Sequence, residues 1–191
     1  MVKIKREQAK QAIASFLDAL GYEGDLVAQA PERVTAAFAD ELLTGREQNI
    51  PSLIKEGSEP ASNHEVVLLT DIQVVTVCPH HLMVARGVAD IAYMPGDLVL
   101  GLGTLCRVLE AHTRRLTLQE EIAPQVVDSL MNHAGAQGAY LRLKLDHACL
   151  QARGPIQSHA QAVSWASRGK LAEKEELSLL LQQLSDQREK K

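Results

Sequence analysis

Two short segments of this 191-residue chain place cysteines and histidines at spacings that suit a metal site. The first is residues 78–81, Cys-Pro-His-His, and the second is residues 147–149, His-Ala-Cys. Zinc prefers thiolate and imidazole ligands, and a catalytic zinc takes three protein ligands and leaves the fourth position to water. Cys78 and His81 have the offset of a local chelate, and Cys149 can complete the triad. The pattern therefore predicts a zinc-dependent hydrolase.

The other two histidines of these segments, His80 and His147, are then available for proton transfer, which imidazole performs well near pH 7. Bound zinc lowers the pKa of its water to about 7, so hydroxide would also be present at neutral pH. Two alternatives stay open on spacing alone, namely a purely structural zinc and a pair of buried thiols beside hydrogen-bonded histidines. The third cysteine, Cys106, lies on the apolar face of a predicted helix and is assigned to the core.

The composition limits the classes of protein to consider. Hydrophobic residues make up 46% of the chain, enough for a packed core, while aromatic residues make up 3% and the net charge is −4. Both of the latter values argue against a nucleic-acid binder. No apolar run approaches the roughly 20 residues that span a bilayer, and the first residues lack the apolar run of a signal peptide. We therefore expect a cytoplasmic protein without membrane or nucleic-acid partners, whose cysteines are ligands or buried thiols.

The hydrophobic pattern predicts the elements that position these segments. Helical spacing predicts helices at 5–20, 31–45, 104–114 and 171–187, and another that begins at Pro124 and ends near Gly135. Residues 46–63 are expected to form a connecting segment with at most one helical turn. β-Branched and alternating residues predict strands at 66–69, 72–77, 88–93, 139–149 and 156–167. The period of two in the strand at 139–149 places His147 and Cys149 on one face.

This order of elements is typical of an α+β fold with a mainly antiparallel sheet. We divide the chain into an N-terminal helical segment (1–63), a catalytic domain (64–170) and a C-terminal helix or tail (171–191). An antiparallel sheet with two open edges associates readily unless neighbours complete it. The fold class therefore predicts a homo-oligomer.

Further motifs extend the pattern over most of the chain. They are Pro31-x-Arg33-Val34, Gly101-Leu102-Gly103 before Arg107, Arg114-Arg115-Leu116-x-x-Gln119-Glu120, and Arg153-Gly154. Together with the two cysteine and histidine segments, and in this order and spacing, they resemble the GTP cyclohydrolase I family. The similarity runs from Pro31 to about Gly169.

The resemblance implies the tunnelling fold (T-fold), in which antiparallel sheets with helices on one side join into an oligomeric barrel. Two such rings stack as a homodecamer, with active sites between subunits. It also implies Zn²⁺ held by Cys78, His81 and Cys149. Water activated by the zinc attacks C8 of GTP and opens the imidazole ring. Formate leaves, and rearrangement of the ribose and closure give 7,8-dihydroneopterin triphosphate.

The resemblance further implies roles for the remaining site residues. A carboxylate can accept two hydrogen bonds from the guanine N1–H and 2-amino groups, and guanidinium forks suit phosphate oxygens. His147 is implied to be the main proton carrier, and His80 to assist in the ring and ribose steps. Glu120, beside Gln119, is implied to bind the guanine edge. The residues implied to contact the triphosphate are Arg33, Arg107 and Arg153.

One alternative for Glu120 is structural, because Thr117 and Glu120 have the spacing of a helix capping box. The expected helix start at Pro124 argues against this alternative.

The chain departs from the family mainly where the family binds phosphate and ribose. Gly103 and Thr104 stand where the family has serine and lysine, and Ala36 where it has a second phosphate lysine. Pro79 replaces a glutamate and Thr117 a glutamine. Each charge-assisted hydrogen bond contributes about 1.5–3 kcal/mol, so losing two lysines weakens triphosphate binding about a hundredfold or more.

Three functions follow as hypotheses. The first is GTP cyclohydrolase I with a divergent phosphate pocket. The second is a paralogous purine hydrolase of the same fold that acts on another guanine compound or stops after ring opening. The third is a non-catalytic zinc-binding or pterin-binding assembly protein, against which the retention of His80 and His147 argues.

Overall fold

The structure is a computed structural model that describes residues 4–25 and 27–189. Residues 1–3, Leu26 and residues 190–191, which belong to the predicted N-terminal segment and tail, lie outside the described residues. The helices are α1 (Arg6–Ala19), α2 (Ala30–Ala36), α3 (Ile50–Glu56), α4 (Leu102–Thr113), α5 (Gln119–Ala134), α6 (Ala148–Gln151) and α7 (Lys174–Glu189). The strands are β1 (Ser58–Pro60), β2 (Val67–Val77), β3 (Val84–Met94), β4 (Leu98–Leu100), β5 (Gly138–His147) and β6 (Ala162–Gly169).

Four strands form one antiparallel sheet in the order β2-β3-β5-β6. A second, two-stranded sheet pairs β1 with β4. This arrangement confirms the α+β class and the mainly antiparallel sheet. The outer strands of the larger sheet are β2 and β6. Among the described residues no further strand pairs with either of them, and β2 makes only an isolated bridge, between Val77 and Leu116.

The two strand-like runs at 66–69 and 72–77 form the single strand β2. A bulge between Leu69 and Ile72 interrupts its pairing with β3. At the bulge Asp71 has a φ of 56° and its backbone N–H donates to Asp90 Oδ1 at 3.2 Å. The bulge absorbs the extra residues, so the strand continues where the sequence pattern breaks.

Helices cover the sheet on both faces, and the expectation of helices on one side was wrong. The leucines that alternate along β5 are fully buried under α4 and α5; they are Leu141, Leu143 and Leu145. On the opposite face Leu180 and Leu184 of α7 pack against Ala92 and Tyr140. Removing the apolar patch at one end of that face from water is favourable, and α7 packs over it.

The start of α5 corrects the prediction that this helix begins at Pro124. The helix begins at Gln119 and contains Pro124 in its interior. Proline removes the N–H that would bond to the Glu120 carbonyl. The opposing effect is the burial of an apolar face against the sheet, through Ile122, Ala123, Val126 and Val127. That burial extends the helix to positions that local propensity alone does not predict.

The segment at 46–63 is also more regular than predicted. The Asn49 side chain caps α3 by accepting a hydrogen bond from the Ser52 N–H at 3.0 Å. Pro51 lies in the first turn, where a missing N–H costs nothing, and it therefore starts a helix rather than breaking one. Ile54 is 1% exposed and joins the main core.

The other boundaries differ less from the expectations. Helix α1 confirms the helix at 5–20, and Gly21 follows it with a φ of 78°. The helix at 31–45 is formed by α2, a π-helical segment (Ala37–Leu42) and a 3₁₀ turn (Thr44–Glu47). The strand expected from residue 156 begins only at Ala162. Across residues 4–25 and 27–189, every helix is too short or too polar to cross a membrane.

Candidate active site

The first metal segment lies in the tight connection between β2 and β3. The backbone N–H of Cys78 donates to the Met83 carbonyl, and that of Leu82 donates to the Cys78 carbonyl, both at 2.9 Å. Leu82 has a φ of 54°, an uncommon conformation for a branched side chain. The turn brings Cys78 Sγ to 3.8 Å from His81 Nδ1. The three-residue offset therefore brings the two side chains close enough that one metal ion could bind both.

The third ligand enters from the end of β5. His147 is the last residue of that strand and pairs with Ala85 of β3. The chain then turns into α6, so Cys149 lies on a helical turn and the prediction that it shares a strand with His147 was wrong. The turn places Cys149 Sγ, Cys78 Sγ and the nearer ring nitrogen of His81 within 4.8 Å of one another.

These three side chains fit a zinc ion. Zinc bonds of about 2.3 Å to sulfur and about 2.0–2.1 Å to nitrogen, in tetrahedral geometry, separate the ligand atoms by about 3.5–3.8 Å. The Cys78–His81 distance of 3.8 Å matches that separation, and the third ligand atom needs only a small adjustment. Burial raises the pKa of the Cys149 thiol, and the neighbouring Cys78 raises it further, while the charge of Arg153 lowers it. A cation between the two sulfurs reverses this tendency, because a coordinated thiol loses its proton.

The predicted proton carrier lies in the same part of the molecule. His147 is half-buried and lines a cavity of about 350 Å³ together with Cys149 and Glu120. Burial lowers the pKa of His147, and the charges of Glu120 and Asp146 oppose that shift. An imidazole in such surroundings is largely neutral at pH 7 and can accept a proton.

Glu120 is exposed in the first turn of α5, where the helix dipole favours a carboxylate. It makes no hydrogen bond or ion pair with another of the described residues. The capping-box alternative was wrong, because Leu118 is the N-cap and Thr117 donates instead to Glu121, at 3.4 Å. The carboxylate of Glu120 is therefore available to a ligand in the cavity.

The side chain of Gln119 is occupied by the protein itself. It is 5% exposed, and its Nε2 donates to the Ala162 carbonyl at 3.0 Å and to Ser164 Oγ at 3.2 Å. Its Oε1 lies 2.6 Å from His147 Nε2. Sequence reasoning missed this link, since Gln119 and His147 lie on different elements and no local pattern pairs them.

His80 lies beside the candidate metal ligands. Its side chain is exposed, and its ring centroid lies 6.1 Å from that of His81, with the two rings nearly perpendicular at 81°. The imidazole is therefore open to solvent next to the ligand that the metal would use.

Two of the three predicted phosphate residues lie elsewhere, and the third lies near Cys149. Arg107 is exposed on α4, bonded to Thr104 Oγ1 at 3.2 Å, in a cavity that Glu56 and Glu59 also line. Arg33 is exposed on α2 and bonds to the Gln29 side chain. Neither arginine lines the cavity of His147. Arg153 is exposed and close enough to Cys149 to affect its pKa.

Two of the departures from the family pattern differ in their surroundings. Gly103 is exposed, and a Cβ added there would meet nothing within 4 Å. Thr104 is 2% exposed, and a Cβ added to Gly57 would lie 2.0 Å from Thr104 Oγ1. The side chain at position 104 is therefore packed against the β1–β4 region rather than open to a phosphate.

The chain is similar to known proteins over most of its length. The sequence profile of GTP cyclohydrolase I matches residues 9–185. GTP cyclohydrolase 1 of Bifidobacterium longum (strain NCC 2705) is 35% identical over 168 residues, covering 86% of this chain and 83% of the relative. GTP cyclohydrolase 1 of Leifsonia xyli subsp. xyli (strain CTCB07) is 35% identical over 179 residues, covering 91% and 92%.

A solved structure is a more distant match. The archaeosine synthase QueF-Like in the apo form has 17% identity and a TM-score of 0.44, and the match covers 55% of this chain and 93% of that one. That similarity is too weak to bear on fold or function. The profile match and the curated relatives together show that the chain belongs to the GTP cyclohydrolase I family.

Proposed function

We propose that the protein is a zinc-dependent hydrolase that opens the imidazole ring of GTP at C8, releases formate and gives 7,8-dihydroneopterin triphosphate. One observation carries the proposal. The ligand atoms of Cys78, His81 and Cys149 lie within 4.8 Å of one another, and Cys149 shares its cavity with His147 and Glu120. The residues proposed as metal ligands, proton carrier and guanine acceptor thus lie close together within one chain.

The residues of the cavity have separate roles in the proposed reaction. A zinc ion held by the three ligands supplies Lewis-acid activation of water at neutral pH. His147 moves the proton during ring opening, and the exposed His80 assists beside the metal. Glu120 accepts hydrogen bonds from the guanine N1–H and 2-amino groups. A site built around those two groups discriminates strongly against purines that lack them.

The phosphate contacts call for more than one copy of the chain. In the proposed function Arg33, Arg107 and Arg153 bind the triphosphate, but Arg33 and Arg107 lie outside the cavity of His147. We infer that neighbouring subunits bring them to it, in a T-fold barrel closed through the free edges of β2 and β6 and stacked as a homodecamer. Sedimentation at micromolar concentration tests this assembly, and a monomer would contradict it.

A second candidate is a paralogous hydrolase that acts on a guanine compound with fewer phosphates. The surroundings of Arg107 favour it, since Glu56 and Glu59 line the same cavity. Carboxylates beside a polyphosphate repel it, and the buried Thr104 offers no replacement for the family lysine. This candidate keeps the zinc and guanine chemistry and changes only the other end of the substrate.

Product analysis separates these functions. Zinc-loaded protein is incubated with GTP, GMP and guanosine, and the products are followed by mass spectrometry and by fluorescence after oxidation. A fluorescent neopterin from GTP supports the first candidate. Ring-opened material without pterin, or turnover of GMP or guanosine alone, supports the second. No formate from any of the three would refute both and leave a non-catalytic binding protein.

A further inference from the structure

The hydrogen bonds around Gln119 determine how this amide is oriented. An amide has two N–H donors and one carbonyl acceptor, and both donors face acceptors on β6, namely the Ala162 carbonyl and Ser164 Oγ. Rotating the amide by half a turn would place its oxygen against the Ala162 carbonyl, two acceptors at hydrogen-bonding distance. The carbonyl Oε1 therefore faces His147.

That orientation also selects a tautomer of His147. The Oε1 atom can only accept, so the ring nitrogen 2.6 Å away, Nε2, must carry a proton. Neutral imidazole carries one proton, so Nδ1 holds the lone pair. Among the described residues no group bonds to Nδ1, which leaves that nitrogen to take up and return a proton.

We propose that Gln119 is a positioning residue that holds His147 as the Nε2–H tautomer and directs its proton exchange to Nδ1, rather than a ligand of the guanine edge. The inference rests on the proposed role of His147 as proton carrier. It differs from the role that family resemblance implies for Gln119. The 5% exposure of this residue supports it, since Gln119 lines the cavity but its two donors and the oxygen that faces His147 already bond within the protein.

The tautomer can be observed directly by ¹⁵N NMR of histidine-labelled, zinc-loaded protein, in the solid state if the assembly is large. The signal of His147 is identified as the one lost in His147→Asn. We expect a protonated Nε2 and an unprotonated Nδ1 in the wild type. The opposite tautomer would overturn the proposal without any Gln119 variant. This arm does not depend on turnover, so it stays decisive even if the proposed reaction fails.

Steady-state kinetics of Gln119 variants provide a second test. Gln119→Leu keeps the approximate size and removes the hydrogen bonds, so kcat should fall about 10- to 100-fold while KM changes less than about twofold. Gln119→Glu keeps an acceptor for Nε2–H and should recover part of kcat and the tautomer. Gln125→Leu is the matched control, since Gln125 lies on the same helix and bonds to a different histidine, His112. A KM increase of tenfold or more at unchanged kcat in Gln119→Leu, or an unchanged tautomer, would show that Gln119 binds guanine instead.

Discussion

The two halves of the proposed site differ in how they are built. The metal half, which one chain assembles, consists of Cys78, His81, Cys149, His147 and Glu120. The phosphate half, dispersed over other surfaces of the chain, consists of Arg33, Arg107, Gly103 and Thr104. The strand ends, α6 and the first turn of α5 bring the metal half together, although His81 and Glu120 are themselves exposed. The two arginines are exposed side chains on two other helices.

This difference indicates which half can diverge. Removing one ligand of a metal triad abolishes the site, because zinc needs all of its protein ligands at bonding distance. Removing one of several phosphate contacts weakens binding by a limited factor and leaves the rest. The chain retains the first half and has changed part of the second, as this asymmetry in cost leads us to expect.

The largest effect should come from Cys149→Ala in the metal half. We expect metal content, measured by mass spectrometry of the digested protein, to fall from about one zinc per chain to near zero, with loss of formate release. Cys106→Ala is the control, since that cysteine lies on α4 outside the cluster. Unchanged turnover in Cys149→Ala would refute the proposed metal centre.

A smaller effect is expected for Arg107→Ala in the phosphate half. Loss of a charge-assisted hydrogen bond of about 1.5–3 kcal/mol should raise KM for GTP about 10- to 100-fold. Guanosine, which has no phosphate, should show no change in steady-state assays. Arg168→Ala removes an ion pair with Asp128 and a hydrogen bond to the Ser167 carbonyl, and it serves as the control. Equal effects on GTP and guanosine would show that Arg107 does not contact phosphate.

Restoring the family residues at 103 and 104 should have unequal effects on stability. Gly103→Ser adds atoms to open space, so the free energy of unfolding should change by less than about 0.5 kcal/mol. Thr104→Lys forces a long charged side chain into the contact with Gly57 and should cost about 1–3 kcal/mol. Urea denaturation of both variants provides the comparison. Equal stability would mean that position 104 remains open to a lysine.

The smallest effect concerns His112, which links α4, the helix of Arg107, to α5, the helix of Glu120. This residue of α4 bonds to Gln125 and Ser129 of α5, at 3.2 and 2.9 Å. Burial lowers its pKa to about 4, and the hydrogen bond to Gln125 opposes that shift. The unfolded chain, with a histidine pKa of about 6.5, therefore binds more protons between about pH 6.5 and pH 4. The stability that neutral His112 contributes is complete above this window and is lost as the pH falls through it.

His112→Gln should flatten this dependence. Between about pH 7.5 and pH 5 the wild type should lose about 1–2 kcal/mol more than the variant, because glutamine keeps polar groups there but does not titrate. Urea denaturation at several pH values measures the difference. Parallel curves for the two proteins would show that His112 is not the titrating group.

Much of the metal half could be predicted because its signals are local. Cys78 and His81 lie within one turn, and their side-chain chemistry alone points to a metal. The alternating leucines of β5 likewise predict a strand with one buried face, and residues 141, 143 and 145 are buried as that pattern requires. Both signals depend on residue type and spacing, which the sequence states directly.

The wrong boundaries share a different cause. Pro124 predicts a helix start, but the apolar face of α5 against the sheet extends the helix to Gln119. Residues 70–71 interrupt the pattern of β2, but a bulge bonded to Asp90 keeps the strand continuous. In each case a contact with a distant part of the chain outweighs the local preference.

From its sequence alone, this protein has two thiols and three imidazoles in two close groups, an α+β pattern and the motifs of its family, since all of these depend on local chemistry and order. Only the tertiary structure decided that Cys149 approaches Cys78 and His81 from a helical turn and that the Gln119 side chain bonds to His147. It also placed Arg33 and Arg107 outside the cavity of His147. Those outcomes depend on where elements distant in sequence meet, and that is set by burial of the sheet and helices rather than by any local pattern.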